Sequence, residues 1–188
     1  MHDLKPITAL GGTTPRVDTV GETTLAEVPD LALASVAARA GREQACAKHL
    51  KALIGAQAPS PGKTWQTDHY SAVWMGPDQW MISADFATHE DIAATLKSQL
   101  EGIASVTEQT DAWACFDLSG PRVFAVLELL YNINLLQFKT GDATRTSIHH
   151  LGCFVICMKP DHMVRILGPR ASAGSLHHAI TTAMTSAL

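Results

Sequence analysis

Cys153 and Cys157 stand four residues apart, just after the pair His149-His150, the densest gathering of metal-ligating side chains in the sequence. On an extended strand, residues four apart point to one face, so two thiolates and two imidazoles could be pictured around one ion. Structural zinc sites, however, need a second ligand pair at a set spacing, and none follows. The residues between the cysteines, Phe154-Val155-Ile156, spell a buried strand in which a reduced cysteine is an ordinary small hydrophobe. No metal is expected here.

The other chemistry-bearing residues fare no better. Cys46 and Cys115 lack a sequence context that would lower a thiol pKa. His177 and His178 are neighbours on an expected helix and point in different directions, as surface histidines do. Glu108, Asp111 and Asp117 cluster around a strand pair, but carboxylates at such places are commonly turn-formers. Ser119-Gly120-Pro121 is not the Gly-x-Ser-x-Gly of a nucleophile elbow. Neither a Gly-x-Gly-x-x-Gly nor a phosphate-binding loop occurs. The sequence therefore predicts no catalytic, cofactor-binding or metal residues on this chain. Trp65, Trp74, Trp80 and Trp113 remain, with core packing the commoner fate and an interface the sharper one.

Composition narrows the partners. The 188 residues carry a net charge of −4 and a pI near 6.1, so there is no broad basic field for nucleic acid or anionic membrane. Charged residues are 17%, against about a quarter in ordinary domains. The apolar fraction of 46% includes 27 alanines, so the shortage of charge says more than the apolar count. A surface short of charge suits an interface. The most apolar windows, Leu151 to Met158 and Val123 to Leu130, fall far short of the roughly twenty residues a membrane helix needs. Met1 to Leu10 lacks the basic start and apolar run of a secretory signal, so the cysteines read as reduced thiols and the protein as cytoplasmic.

The elements that must position these residues follow from periodicity and punctuation. Residues 1–29, with Pro6, Gly11, Gly12, Pro15, Gly21 and Pro29, read as an irregular arm that orders against a partner. Residues 30–110 give a strand from Leu31, a helix from Gly41 to Ile54 stopped by Gly55, and two strands around Gly76-Pro77-Asp78. A helix capped by Thr88 and running to Leu100, then a strand from Ala104, complete the order βαββαβ. That is the ferredoxin-like arrangement. Residues 111–188 give a strand from Trp113, a helix from Pro121 to Tyr131, three strands and a final helix. This is a second α+β unit, expected to share the core of the first. The fold class is α+β with mostly antiparallel strands.

Three segments carry a family resemblance. Trp74-Met75-Gly76-Pro77-Asp78-Gln79-Trp80-Met81-Ile82 resembles a W-x-G-P-D-E/Q-W-L-L hairpin. Thr110-Asp111-Ala112-Trp113 and Leu118-Ser119-Gly120-Pro121-Arg122 resemble a D-A-W…L-S-G-P-R-A segment. Leu31 to Gly41 resembles the opening strand and turn. In register from about residue 25 onward, they are similar to the gamma subunit of heterotetrameric sarcosine oxidase. That family is related in fold to the folate-binding aminomethyltransferase of the glycine cleavage system. The resemblance implies a structural subunit of a complex that demethylates sarcosine to glycine, releasing hydrogen peroxide and passing a one-carbon unit to tetrahydrofolate. FAD, FMN, NAD, tetrahydrofolate and zinc would lie on the alpha, beta and delta subunits, which would be its partners. The alternatives are a free-standing aminomethyltransferase-like enzyme, or an adaptor for another methylated amino acid such as dimethylglycine.

Overall fold

The structure is a computed structural model and describes residues 5–188. The first four residues of the expected arm lie outside the described residues. Its later part is not irregular. Val17–Val20 (β1) and Thr23–Glu27 (β2) form an antiparallel hairpin turned by Gly21, which sits at φ 58°. Two further devices hold the chain ahead of it. The buried Glu27 carboxylate accepts the N–H groups of Leu10 and Arg16 at 3.0 and 2.8 Å, and Arg170 donates to the Ile7 carbonyl. One acidic side chain thus satisfies donors that an irregular segment would otherwise leave to water.

The next unit, Asp30–Asp111, contains Leu31–Ala38 (β3), Glu43–Ile54 (α1), Thr64–Gln66 (β4), Tyr70–Gly76 (β5) and Gln79–Asp85 (β6). Phe86–His89 (α2), Ile92–Gln99 (α3) and Ala104–Glu108 (β7) complete it. Its strands lie in the order β4-β5-β6-β3-β7, every pair antiparallel. Without the edge strand β4, that is the ferredoxin-like order. The helix expected from Thr88 is broken in two. Asp85, not Thr88, caps the first piece by accepting the Thr88 N–H, and Asp91 begins the second. α1 stops where expected, at Gly55 in the left-handed region.

Trp113–Ser119 (β8), Val123–Glu128 (α4), Ala143–Ile148 (β9), Leu151–Lys159 (β10), Met163–Pro169 (β11) and Ala173–Ala187 (α5) make up most of the other unit. The chain ahead of Asp30 belongs to it, because β2 pairs with β8. Its sheet order is β1-β2-β8-β11-β10-β9. Each unit closes a helix-side core of its own. One gathers Val36, Leu50, Ile82 and Leu96, the other Phe116, Leu127, Val155, Ile166 and Leu176. α4 is shorter than expected, since Arg122 takes a left-handed φ of 62° and delays the helix.

The two units share one topology. β8, α4, β9, β10, β11 and α5 repeat β3, α1, β4, β5, β6 and α3 in the same order and sheet positions. The last position, filled by β7 in one sheet, is filled in the other by β2 from the far end of the chain. Even the central turn recurs. Pro77-Asp78 and Pro160-Asp161 both follow a bulged strand, and both aspartates have positive φ, 53° and 48°. No helix of the described residues is long and apolar enough to cross a membrane.

Candidate functional site

Cys153 and Cys157 do share a face of β10, and that face packs into the core of their unit. His149 and His150 sit outside that core. They form the exposed two-residue turn between β9 and β10, both with positive φ. All four cysteines are free and buried, and burial pushes their thiols up, to about 12 for Cys115 and about 11 for the others. A thiol so placed is a poor nucleophile and a poor ligand. Among the described residues no three of His, Cys, Asp or Glu gather where an ion could bind.

The three carboxylates do not act as a set. Glu108 accepts the Thr110 N–H within one unit. Asp117 belongs to the other unit, where it takes two hydrogen bonds from Arg165, both 2.8 Å, across the β8–β11 pair. The Asp117 contact raises the Arg165 guanidinium pKa further, keeping it charged though largely buried. The same sheet face carries Trp113 edge-on to the Phe154 ring at 5.4 Å, with the Arg145 guanidinium 5.7 Å above Phe154.

The tryptophans of the central hairpin are core residues. Trp74 and Trp80 are direct cross-strand partners. Trp80 is buried and donates to the Pro59 carbonyl at 3.0 Å, while Trp65 donates to Gln57. Both bonds tie down the connector between α1 and β4.

Sequence reading missed three features. His177 is not a surface histidine: it is buried on α5, with Nε2 2.7 Å from Asp18 Oδ2. Asp18 also takes a two-pronged hydrogen bond from Arg16 at 2.9 and 3.0 Å, which holds its carboxyl below the usual range. Arg122 reaches the Ala187 carbonyl and caps the end of α5. Asp161 accepts the Phe124 N–H in the first turn of α4. A recurrent Pro-Asp after each bulged strand was the available signal for the last, and nothing local signalled the first two. A shallow depression of about 270 Å³ between α1 and α3 is lined by His49, Ala52, Leu53, Gln99 and Leu100. It holds no buried polar group and presents no reactive set.

No protein-family model matches the chain, and no curated protein matches it. Solved structures do. A chain of the heterotetrameric sarcosine oxidase from Corynebacterium sp. U-96 superposes with a TM-score of 0.77 at 21% identity. The match covers 89% of this chain and 87% of that one. Glycine cleavage system aminomethyltransferase T from Bartonella henselae superposes with a TM-score of 0.61 at 14% identity, over 85% of this chain but only 45% of its own length. The chain therefore has the α+β fold, with two mostly antiparallel sheets, that these two proteins share.

Proposed function

We propose that this chain is a structural subunit, of the gamma type, in a heteromeric sarcosine oxidase. The complex would demethylate sarcosine to glycine, release hydrogen peroxide and hand the one-carbon unit to tetrahydrofolate. The observation that carries the reading is the near end-to-end match with a chain of a heterotetrameric sarcosine oxidase, in both directions. The hairpin around Pro77-Asp78 and the Leu118-Ser119-Gly120-Pro121-Arg122 turn, which carry the sequence resemblance, lend it independent support. The burial of all four thiols and the pairing of Asp117 with Arg165 suit a scaffold better than a catalyst. The flavins, NAD, tetrahydrofolate and zinc then belong to the partner chains. A free-standing aminomethyltransferase is less favoured, because the oxidase chain superposes more closely, with a TM-score of 0.77 against 0.61.

The test is purification of the tagged chain from its native host under mild conditions. A flavin-containing, sarcosine-oxidising assembly should co-elute, and stripping the other chains should leave a colourless, inactive protein. Flavin absorbance or peroxide formation retained by the chain alone overturns the reading.

A further inference from the structure

The edge position that β7 fills in one sheet is filled in the other by a segment separated from its pairing strand by all of residues 30–111. Residues 5–28 lie in a groove whose contacts are defined. β2 runs antiparallel to β8, with Thr24 opposite Ser119 and Leu25 opposite Leu118. Leu25 is buried in the core of that unit, and Ala9, Leu10 and Val20 pack against the same core. Thr23 Oγ1 donates to the Pro121 carbonyl at 2.7 Å, and the Val28 N–H to the Cys115 carbonyl at 2.9 Å. Arg170 bonds the Ile7 carbonyl, and His177 bonds Asp18.

The joint that ties this segment to the rest is short. Val28, Pro29 and Asp30 alone separate the end of β2 from the start of β3. Both ends of the joint are pinned, Val28 to Cys115 and the Asp30 carbonyl to the Phe86 N–H at 3.0 Å. The Pro29 ring fixes its own φ and keeps Val28 out of the helical region, so the joint resists folding back. Short, stiff joints of this kind favour exchange of an element between copies over closure within one. Little else opposes the exchange. Each hydrogen bond of the segment is re-formed with the same residue of another copy, so the contact energies cancel. The joint and the protein concentration then set the balance.

We infer that this chain forms a reciprocally exchanged dimer, in which residues 5–28 of each copy occupy the β8 groove of the other. The ligand of the groove is a two-stranded segment of a second copy, defined residue by residue. Three extended residues span at most about 10 Å, so the two grooves lie side by side. A pair therefore closes on itself and does not grow into a chain. This pairing belongs to the chain alone and does not depend on the subunit reading.

Two tagged forms of the full-length chain test it, one carrying Thr24→Cys and the other Ser119→Cys, positions that face each other across β2 and β8. Both substitutions in one chain show that the pair can be cross-linked. Thr24→Cys combined with Ser147→Cys, on the exposed side of β9, measures chance collisions. The native cysteines are buried and stay in place. Near-ultraviolet circular dichroism checks that each variant keeps its fold. Co-expressed and concentrated, the two forms should give a dimer by light scattering. Its cross-link should join the two different tags, well above the Ser147→Cys level. Inserting Gly-Ser-Gly after Pro29 should lower the mixed-tag link several-fold, because a longer joint can fold back. A chain that stays monomeric at every concentration reached overturns the inference. So does a dimer whose mixed-tag link is no more frequent than chance, or a link that the insertion leaves undiminished.

Discussion

Asp18 joins an edge strand to the last helix, and its charge is what makes the joint work. Arg16's hydrogen bond, helped by His177 and opposed by partial burial, holds the carboxyl pKa below its usual range. A depressed folded-state value adds stability above the unfolded carboxylate pKa, about 3.9, and that stability is lost as pH falls through the folded value. Thermal melts between pH 3 and 7 should therefore show an acid limb that Asp18→Asn flattens by removing the titrating group. An unchanged limb in Asp18→Asn would assign it to other carboxylates. None of this was legible in the sequence. Asp18 and His177 are 159 residues apart, and only the return of α5 over β1 brings them together.

Turns and connectors are where the elements were most and least legible. The Pro-Asp turn, the Gly55 stop and the alternation of Leu31 to Ala38 fixed three boundaries, because each rests on local backbone preference. β4, the break between α2 and α3, and the hairpin of β1 and β2 were not read, since short strands rich in threonine carry little period. What pairs them is the neighbouring strand, not their own composition. Backbone constraint also ranks substitutions. Gly120 sits at φ 130°, and a Cβ there would lie 2.5 Å from the Glu22 carbonyl oxygen and 2.7 Å from Thr23 Cα. At Gly168 the nearest obstacle is the movable end of Leu176. Gly120→Ala should cost about 3 kcal/mol or more and Gly168→Ala about 1–2 kcal/mol, read from denaturant melts. The reverse order would contradict the close approach of β2 to the turn after β8. The His149-His150 turn points the other way. Both residues have positive φ, a geometry that Asn-Gly fills with less strain, so the His149→Asn, His150→Gly pair should raise stability by about 1 kcal/mol. No gain in melting temperature would show that the histidines make contacts that offset the strain.

At the scale of the whole molecule, the repeat explains why the units cannot be cut where composition suggests. The opening segment, an irregular arm by its sequence, contributes β2, whose Leu25 is buried in the core built mainly by residues 112–188. Removing residues 1–29 uncovers the edge of β8 and empties the Leu25 site. The truncated protein should lose cooperative unfolding of that unit, with exchange protection gone from β8 and β11. The contiguous fragment 30–111, with all five strands of its sheet, should retain a cooperative melt. A truncated chain that melts as sharply as the full one would show β2 to be ornamental. The repeat itself stayed hidden because it is carried by topology and by two Pro-Asp turns, while the apolar residues filling the two cores differ in type and spacing.

The borrowed strand also sets an order of events during synthesis. β1 and β2 leave the ribosome early, but β8 is made only after the whole of the contiguous unit. At roughly 5–20 residues per second, the hairpin waits on the order of ten seconds with one long side unpaired. In that interval an unpaired strand edge is a hazard for chain-to-chain pairing. The neighbouring unit can fold while the hairpin waits. The second sheet can begin with β8 through β11 and be closed last, when the earlier-made hairpin is drafted onto the later-made β8. Speed of translation through residues 30–111 thus becomes a determinant of yield. A stalled ribosome there prolongs exposure of the hairpin without altering a single contact of the finished protein.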